Sequence, residues 1–193
     1  MIPNNILTEL FIYYARFPKR EGILPLFNVG ESDIPGYTDM LAIINEMQDH
    51  SLTEIQNYIF GANIEAIKAR VKNIPAGSDF LFVDFGEIDC DIDTRNRNTD
   101  STSLAITVAY RVKSFSADLI EQALAFSHTL DDLTFIRNKM IVDQREHPWL
   151  KNISNKHTFV PFIAPEMSCI GWTMMFNREG YDSFEAKNKF DNK

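Results

Sequence analysis

Apolar residues recur at helical spacing as far as Asn73 and alternate with a period of two from Phe80 onward. In the front, Asn5 is placed to cap a helix carrying Ile6, Leu7, Leu10, Phe11, Tyr14 and Phe17 on one broad face, and Pro18 stops it. Residues 19–37 read as a loop punctuated by Pro25, Gly30, Pro35 and Gly36. Thr38 is expected to cap a second helix, with Met40, Leu41, Ile43, Ile44 and Met47 facing inward. Ser51-Leu52-Thr53-Glu54 has the form of a capping box and predicts a third helix ending at Gly61. Asn63 caps a fourth through Ile64, Ile67 and Val71, and Pro75-Ala76-Gly77 is a turn.

Beyond that turn, Phe80 to Asp93 reads as a long strand. Phe80, Phe82, Ile88, Cys90 and Ile92 are its apolar positions, Glu87, Asp89, Asp91 and Asp93 its acidic ones, and Gly86 marks a bulge. Residues 94–102 are polar and turn-like. Ser103 to Lys113 is a second strand with Leu104, Ile106, Val108, Tyr110 and Val112 on one face, so the two predict a long antiparallel hairpin. Ser116 is expected to cap a helix through Leu119, Ile120, Ala123, Leu124 and Leu130, with a break near Thr129 before it continues to Asp143. His147-Pro148-Trp149 opens a polar connection. His157–Ala164 is a short strand, placed at an edge or bulge by Pro161. Cys169–Arg178 is the last strand, with Ile170, Trp172, Met174 and Phe176 on one face.

The expected fold class is therefore α+β: an antiparallel sheet in the order β-β-α-β-β, covered by helices on one face. Residues 1–78 form an N-terminal helical segment packing on the main body, 79–180 the antiparallel-sheet domain, and 181–193 a frayed polar tail.

Composition narrows the function classes. The 193 residues are 45% hydrophobic, enough for a real core, and the formal net charge is -8. So acidic a chain lacks the footprint for gripping nucleic acid or an anionic membrane. Cys90 and Cys169 cannot make a disulfide framework and read as free thiols in a reducing compartment. The start, Met1-Ile2-Pro3-Asn4-Asn5, lacks a basic n-region, and the longest apolar run near it is Leu10–Ala15. The expectation is a soluble protein, cytoplasmic when synthesised.

The acidic row Glu87, Asp89, Asp91, Asp93 is the most unusual feature. Carboxylates at alternate strand positions project from one face about 7 Å apart. With Asp100, the aspartates Asp89, Asp91 and Asp93 loosely echo a calcium loop, but Thr94 stands where the sharp turn needs glycine. No metal is assigned; Asp89, Asp91, Asp93 and Asp100 are weak candidates only. Asp84 falls on the apolar face in strict alternation, and a bulge that turns it outward is expected. His50, His128, His147 and His157 have no short ligand spacing to one another or to the cysteines. No nucleophile elbow, phosphate loop or dinucleotide fingerprint occurs, so no catalytic residue and no cofactor is assigned. Cys90 lies in an acidic stretch, which disfavours a thiolate. Phe80, Phe82, Phe85, Trp172 and Phe176 read as core.

The order of elements, helical front, hairpin Phe80–Asp93 with Ser103–Lys113, crossing helix Ser116–Leu130, then His157–Ala164 with Cys169–Arg178, resembles the tail terminator (tail-completion) proteins of long-tailed bacteriophages. The resemblance covers roughly half of the chain, Asp79 to Arg178, and lies in order and length of elements. It implies a non-enzymatic subunit of a hexameric ring that ends the tail tube, docks to head-completion proteins and resides in the virion. Its partners would be itself, tail-tube and head-completion proteins, without sequence-specific nucleic acid or membrane. On that reading Glu87, Asp89, Asp91 and Asp93 form a lumen or acidic face that repels DNA phosphate. The alternatives are a stand-alone protein-binding α+β module and a metal-binding enzyme that uses the acidic hairpin.

Overall fold

The computed structural model describes residues 6–27, 32–92, 98–115 and 118–181. The elements in chain order are α1 (Ile6–Tyr14), α2 (Arg20–Ile23), α3 (Tyr37–Glu46), β1 (Asn57–Gly61), α4 (Ile64–Lys72), β2 (Asp79–Ile92), β3 (Asn98–Arg111), α5 (Leu119–Asp143), β4 (Thr158–Ala164) and β5 (Cys169–Tyr181). The fold is α+β, around one five-stranded sheet ordered β1-β2-β3-β5-β4. The hairpin β2–β3 and the pairs β3–β5 and β4–β5 are antiparallel. Pro161 lies on the edge strand β4, where a missing N–H costs no ladder bond. The caps expected at Asn5 and Ser116, the residue Asp93 and the tail from residue 182 lie outside the described residues.

The sheet is mixed rather than wholly antiparallel, because the segment expected as a third helix is strand β1, parallel to β2. Ser51 adopts φ 55°, a left-handed conformation unlike the extended backbone of an N-cap. The amides of Leu52 and Thr53 donate to the carbonyls of Arg16 and Phe17, and the Thr53 hydroxyl donates to Phe17 as well. The would-be capping box is thus tied to the turn that follows α1. Beyond it, Tyr58 joins the core on one sheet face and Ile59 the core on the other, so β1 is apolar on both sides and shows no alternation. The expected loop 19–37 contains α2 and a 3-10 turn, Leu24–Leu26. A Cβ on Gly22 would overlap the Gln56 carbonyl, so only glycine lets α2 lie this close to β1.

Apolar side chains pack against both faces of the sheet, which is covered on both rather than on one. On the first face Ile6, Leu10, Tyr14 and Phe17 meet Leu133, Ile136 and Met140 of α5 over Leu81, Ile106, Val108 and Met174. On the second, Ile67 and Val71 of α4 pack on Phe80, Phe82 and Ala109. The register slips between Phe85 and Ile88, as Gly86 leads one to expect.

Two helices differ in detail from the expectation. In α3 the N-cap is Gly36 at φ 90°, not Thr38; Ile44 is buried and Ile43 exposed. Helix α5 runs unbroken through Thr129, whose hydroxyl donates to the Ala125 carbonyl one turn back and so stays satisfied inside the helix. Its N-cap is Asp118, which accepts from the Ile120 and Glu121 amides. Its buried face is Ala125, Thr129, Leu133, Ile136 and Met140, while Leu119, Ile120 and Leu124 are exposed. The connection after His147 is not wholly polar: a 3-10 turn, Pro148–Asn152, buries Trp149 and Leu150, and the Trp149 ring lies 5.1 Å from that of Tyr13.

Candidate functional site: an open acidic face and an Asp-His-Asp cluster

The bulge decides where the acidic row points. Before it, Phe80, Phe82 and Asp84 lie opposite Ala109, Thr107 and Ala105. After it, Asp89 and Asp91 lie opposite Ser101 and Thr99. All these partners share one face of β3, so the inserted residue carries the acidic row onto the face of Phe80 and Phe82. Glu87 sits within the irregularity, exposed. Glu179 of β5 lies opposite Ser101 and extends the acidic row sideways. Asp89, Asp91 and Glu179 are exposed and line one open cleft of about 520 Å³.

Asp84 corrects the expectation made for it. The bulge lies after Asp84 and leaves it on the Phe80 face, half-buried. Its Oδ1 is buried without a hydrogen-bond partner, and burial pushes its carboxyl above the usual range.

Asp100 belongs to the opposite face. It lies across from Cys90, is buried, and pairs with Arg178 at 3.2 Å. Arg178 also donates from Nε to the Trp149 carbonyl at 3.1 Å. The pair anchors the far end of the hairpin under the 3-10 turn. Asp89 and Asp91 sit on one face of the hairpin and Asp100 on the other, and all three line the cleft at its end; Asp93 lies outside the described residues.

The histidines are spread over the molecule. His50 Nδ1 lies 2.9 Å from the Ser51 hydroxyl, and the His147 ring lies 5.3 Å from that of Tyr13. His157 packs against Phe176, and burial followed by the charge of Arg137 lowers its pKa, favouring the neutral ring. Cys90 is exposed. Cys169 is buried, its Sγ contacts the Met167 carbonyl at 3.2 Å, and burial pushes its pKa up to about 12, which leaves the thiol unreactive. Phe80, Phe82 and Phe176 are buried, while Phe85 and Trp172 are half-buried against the first core.

His128 takes part in a cluster that the sequence reading missed. Asp79 opens β2 and is buried; its Oδ1 accepts from the Gln56 backbone N–H at 2.8 Å. Its Oδ2 lies 3.2 Å from Nε2 of His128 on α5. Asp132, one turn further along α5, places Oδ2 3.5 Å from the same nitrogen. Burial, opposed by His128 and reinforced by Asp79, pushes the Asp132 carboxyl up to about 6. The spacing of His128 and Asp132 puts both on one helix face, a signal present in the chain but concealed by the break expected at Thr129. Asp79 is far away in sequence, and only the packing of α5 on the sheet brings it in.

Exposed apolar side chains gather at the start of α5: Leu119 is 78% exposed, Ile120 69% and Leu124 65%. Among the described residues no helix is long and apolar enough to cross a membrane. No protein-family model matches the chain, and no curated protein matches it significantly.

Proposed function

We propose that this chain is a non-enzymatic structural subunit of a phage or prophage-like tail, a terminator-like component that closes into a ring, ends the tail tube and docks the head connector. Support comes first from the succession β2–β3, α5, β4–β5, on which the resemblance rests. The observation that carries the reading is that one subunit bears two unlike surfaces, the apolar start of α5 and the acidic open end of the sheet. A ring of identical subunits needs a heterologous contact, one patch covered by a different patch of the neighbour. Leu119, Ile120 and Leu124 are the side chains such a neighbour would cover. The row Glu87, Asp89, Asp91 would then face the lumen or its rim, where it repels DNA phosphate without binding it.

Light scattering on the purified chain tests this. The expected result is a closed oligomer that Ile120→Asp with Leu124→Asp converts to folded monomer, since both side chains are solvent-facing already. A wild-type monomer at every salt and protein concentration overturns the ring. The same exposed apolar patch then favours the second reading, a module that binds another protein through the start of α5.

A further inference from the structure

We propose that Asp79, His128 and Asp132 form a binding site for one divalent transition-metal ion, of which zinc is the type, that clips α5 to the start of β2. One ligand atom from each residue lies within 4.8 Å of the others. The His128 Nε2 distances to the two carboxylates, 3.2 and 3.5 Å, fit donors around one ion. Bonds of about 2.0–2.2 Å in tetrahedral or octahedral geometry set neighbouring donors about 3.0–3.5 Å apart.

A histidine–carboxylate network without metal explains the cluster less well. Nε2 carries at most one hydrogen, and that hydrogen can satisfy only one carboxylate. Asp79 is the nearer, and Asp132 Oδ2 is left buried with no hydrogen bond. A cation in place of that hydrogen takes a lone pair from all three groups at once. The surroundings suit this. Asp79 is oriented by the Gln56 amide on its other oxygen, and the Asn57 side-chain amide donates to the Asp79 carbonyl at 2.9 Å. His128 is half-exposed, which leaves a path for the ion and room for water to complete the coordination. One imidazole with two carboxylates selects zinc-type divalent ions over calcium and magnesium, which prefer oxygen alone. The site joins elements far apart in sequence, so occupancy would stabilise the folded chain by linkage. The inference does not rest on the ring, since the ligands all come from one subunit.

The test is calorimetric titration of the chelator-treated full-length chain with zinc chloride at neutral pH, with a parallel thermal melt. His128→Ala and Asp132→Asn are the variants; Asp79 is left intact because its carboxylate also holds β1. The wild type should take up one zinc per chain and melt higher with zinc present. Each variant, folded by circular dichroism, should lose about tenfold or more in affinity together with the thermal shift. A wild type that takes up no zinc at millimolar concentration overturns the site. So does zinc uptake that both variants leave unchanged, which would assign it to other side chains.

Discussion

The two ends of strand β2 invite comparison. From Phe80 to Val83 every side chain is buried, one set under α4 and the other under α1 and α5. From Glu87 to Asp91 nearly the same alternation runs on, with Ile88 and Cys90 on one face and carboxylates on the other, but the strand is largely exposed. Alternation sorts a strand's side chains between faces, and the layers above and below decide whether a face becomes core. The covered end carries stability. The open end is held by the strand ladder and the Asp100–Arg178 pair, and it presents charge.

The sharpest way to break the comparison is truncation. Phe80→Ala should destabilise the chain by about 4 kcal/mol in urea unfolding, through lost burial and the cavity left beneath α4. A loss under about 1 kcal/mol would mean that the second core is not tightly packed.

At the open end the comparable change is Asp100→Ala. It strands the buried guanidinium of Arg178, and about 3 kcal/mol should be lost. Amide exchange should quicken in the hairpin beyond Gly86 more than around Phe80. Uniform quickening would show that the two ends are not separable.

The third expected effect is on pH dependence at the covered end. The carboxyl of Asp132 titrates near 6 when folded, against about 4 in an unfolded chain. The raised value means that the folded state favours the protonated form. Its contribution is therefore fully present below about pH 4 and disappears as the pH rises through about 6, an effect of roughly 2–3 kcal/mol. Asp132→Asn, measured in chelator, should flatten that part of the stability profile. An unchanged profile would mean that another group produces the slope.

The smallest expected change is at the exposed row. Asp89→Asn with Asp91→Asn should move stability by less than about 0.5 kcal/mol, because solvent-facing carboxylates contribute little. If subunits do close into a ring, the same pair of changes should favour closure at low salt, read by light scattering. A large loss of stability would show that the row is structural.

Local pattern alone established much of the architecture. The period-two runs determined β2, β3 and β5; Gly86 marked the bulge, Pro161 the edge strand, and Pro75-Ala76-Gly77 the turn, where Gly77 adopts φ 86°. Residues 64–72 and the core of α1 were legible from helical spacing. Each of these signals lies within a few residues of the chain. Tertiary structure decided the rest. Residues 57–61 became a strand because apolar packing buries both their sides, which erases alternation, and because the amides of residues 52 and 53 are spent on the turn after α1. On α5 Ala125 and Thr129 are buried while Leu119 and Leu124 stay exposed, a choice set by where the helix meets the sheet. Asp79 meets His128 and Asp132 only after α5 has docked on the sheet. A face that is apolar in sequence is core only where another layer reaches it, and which layer does so is a property of the whole fold.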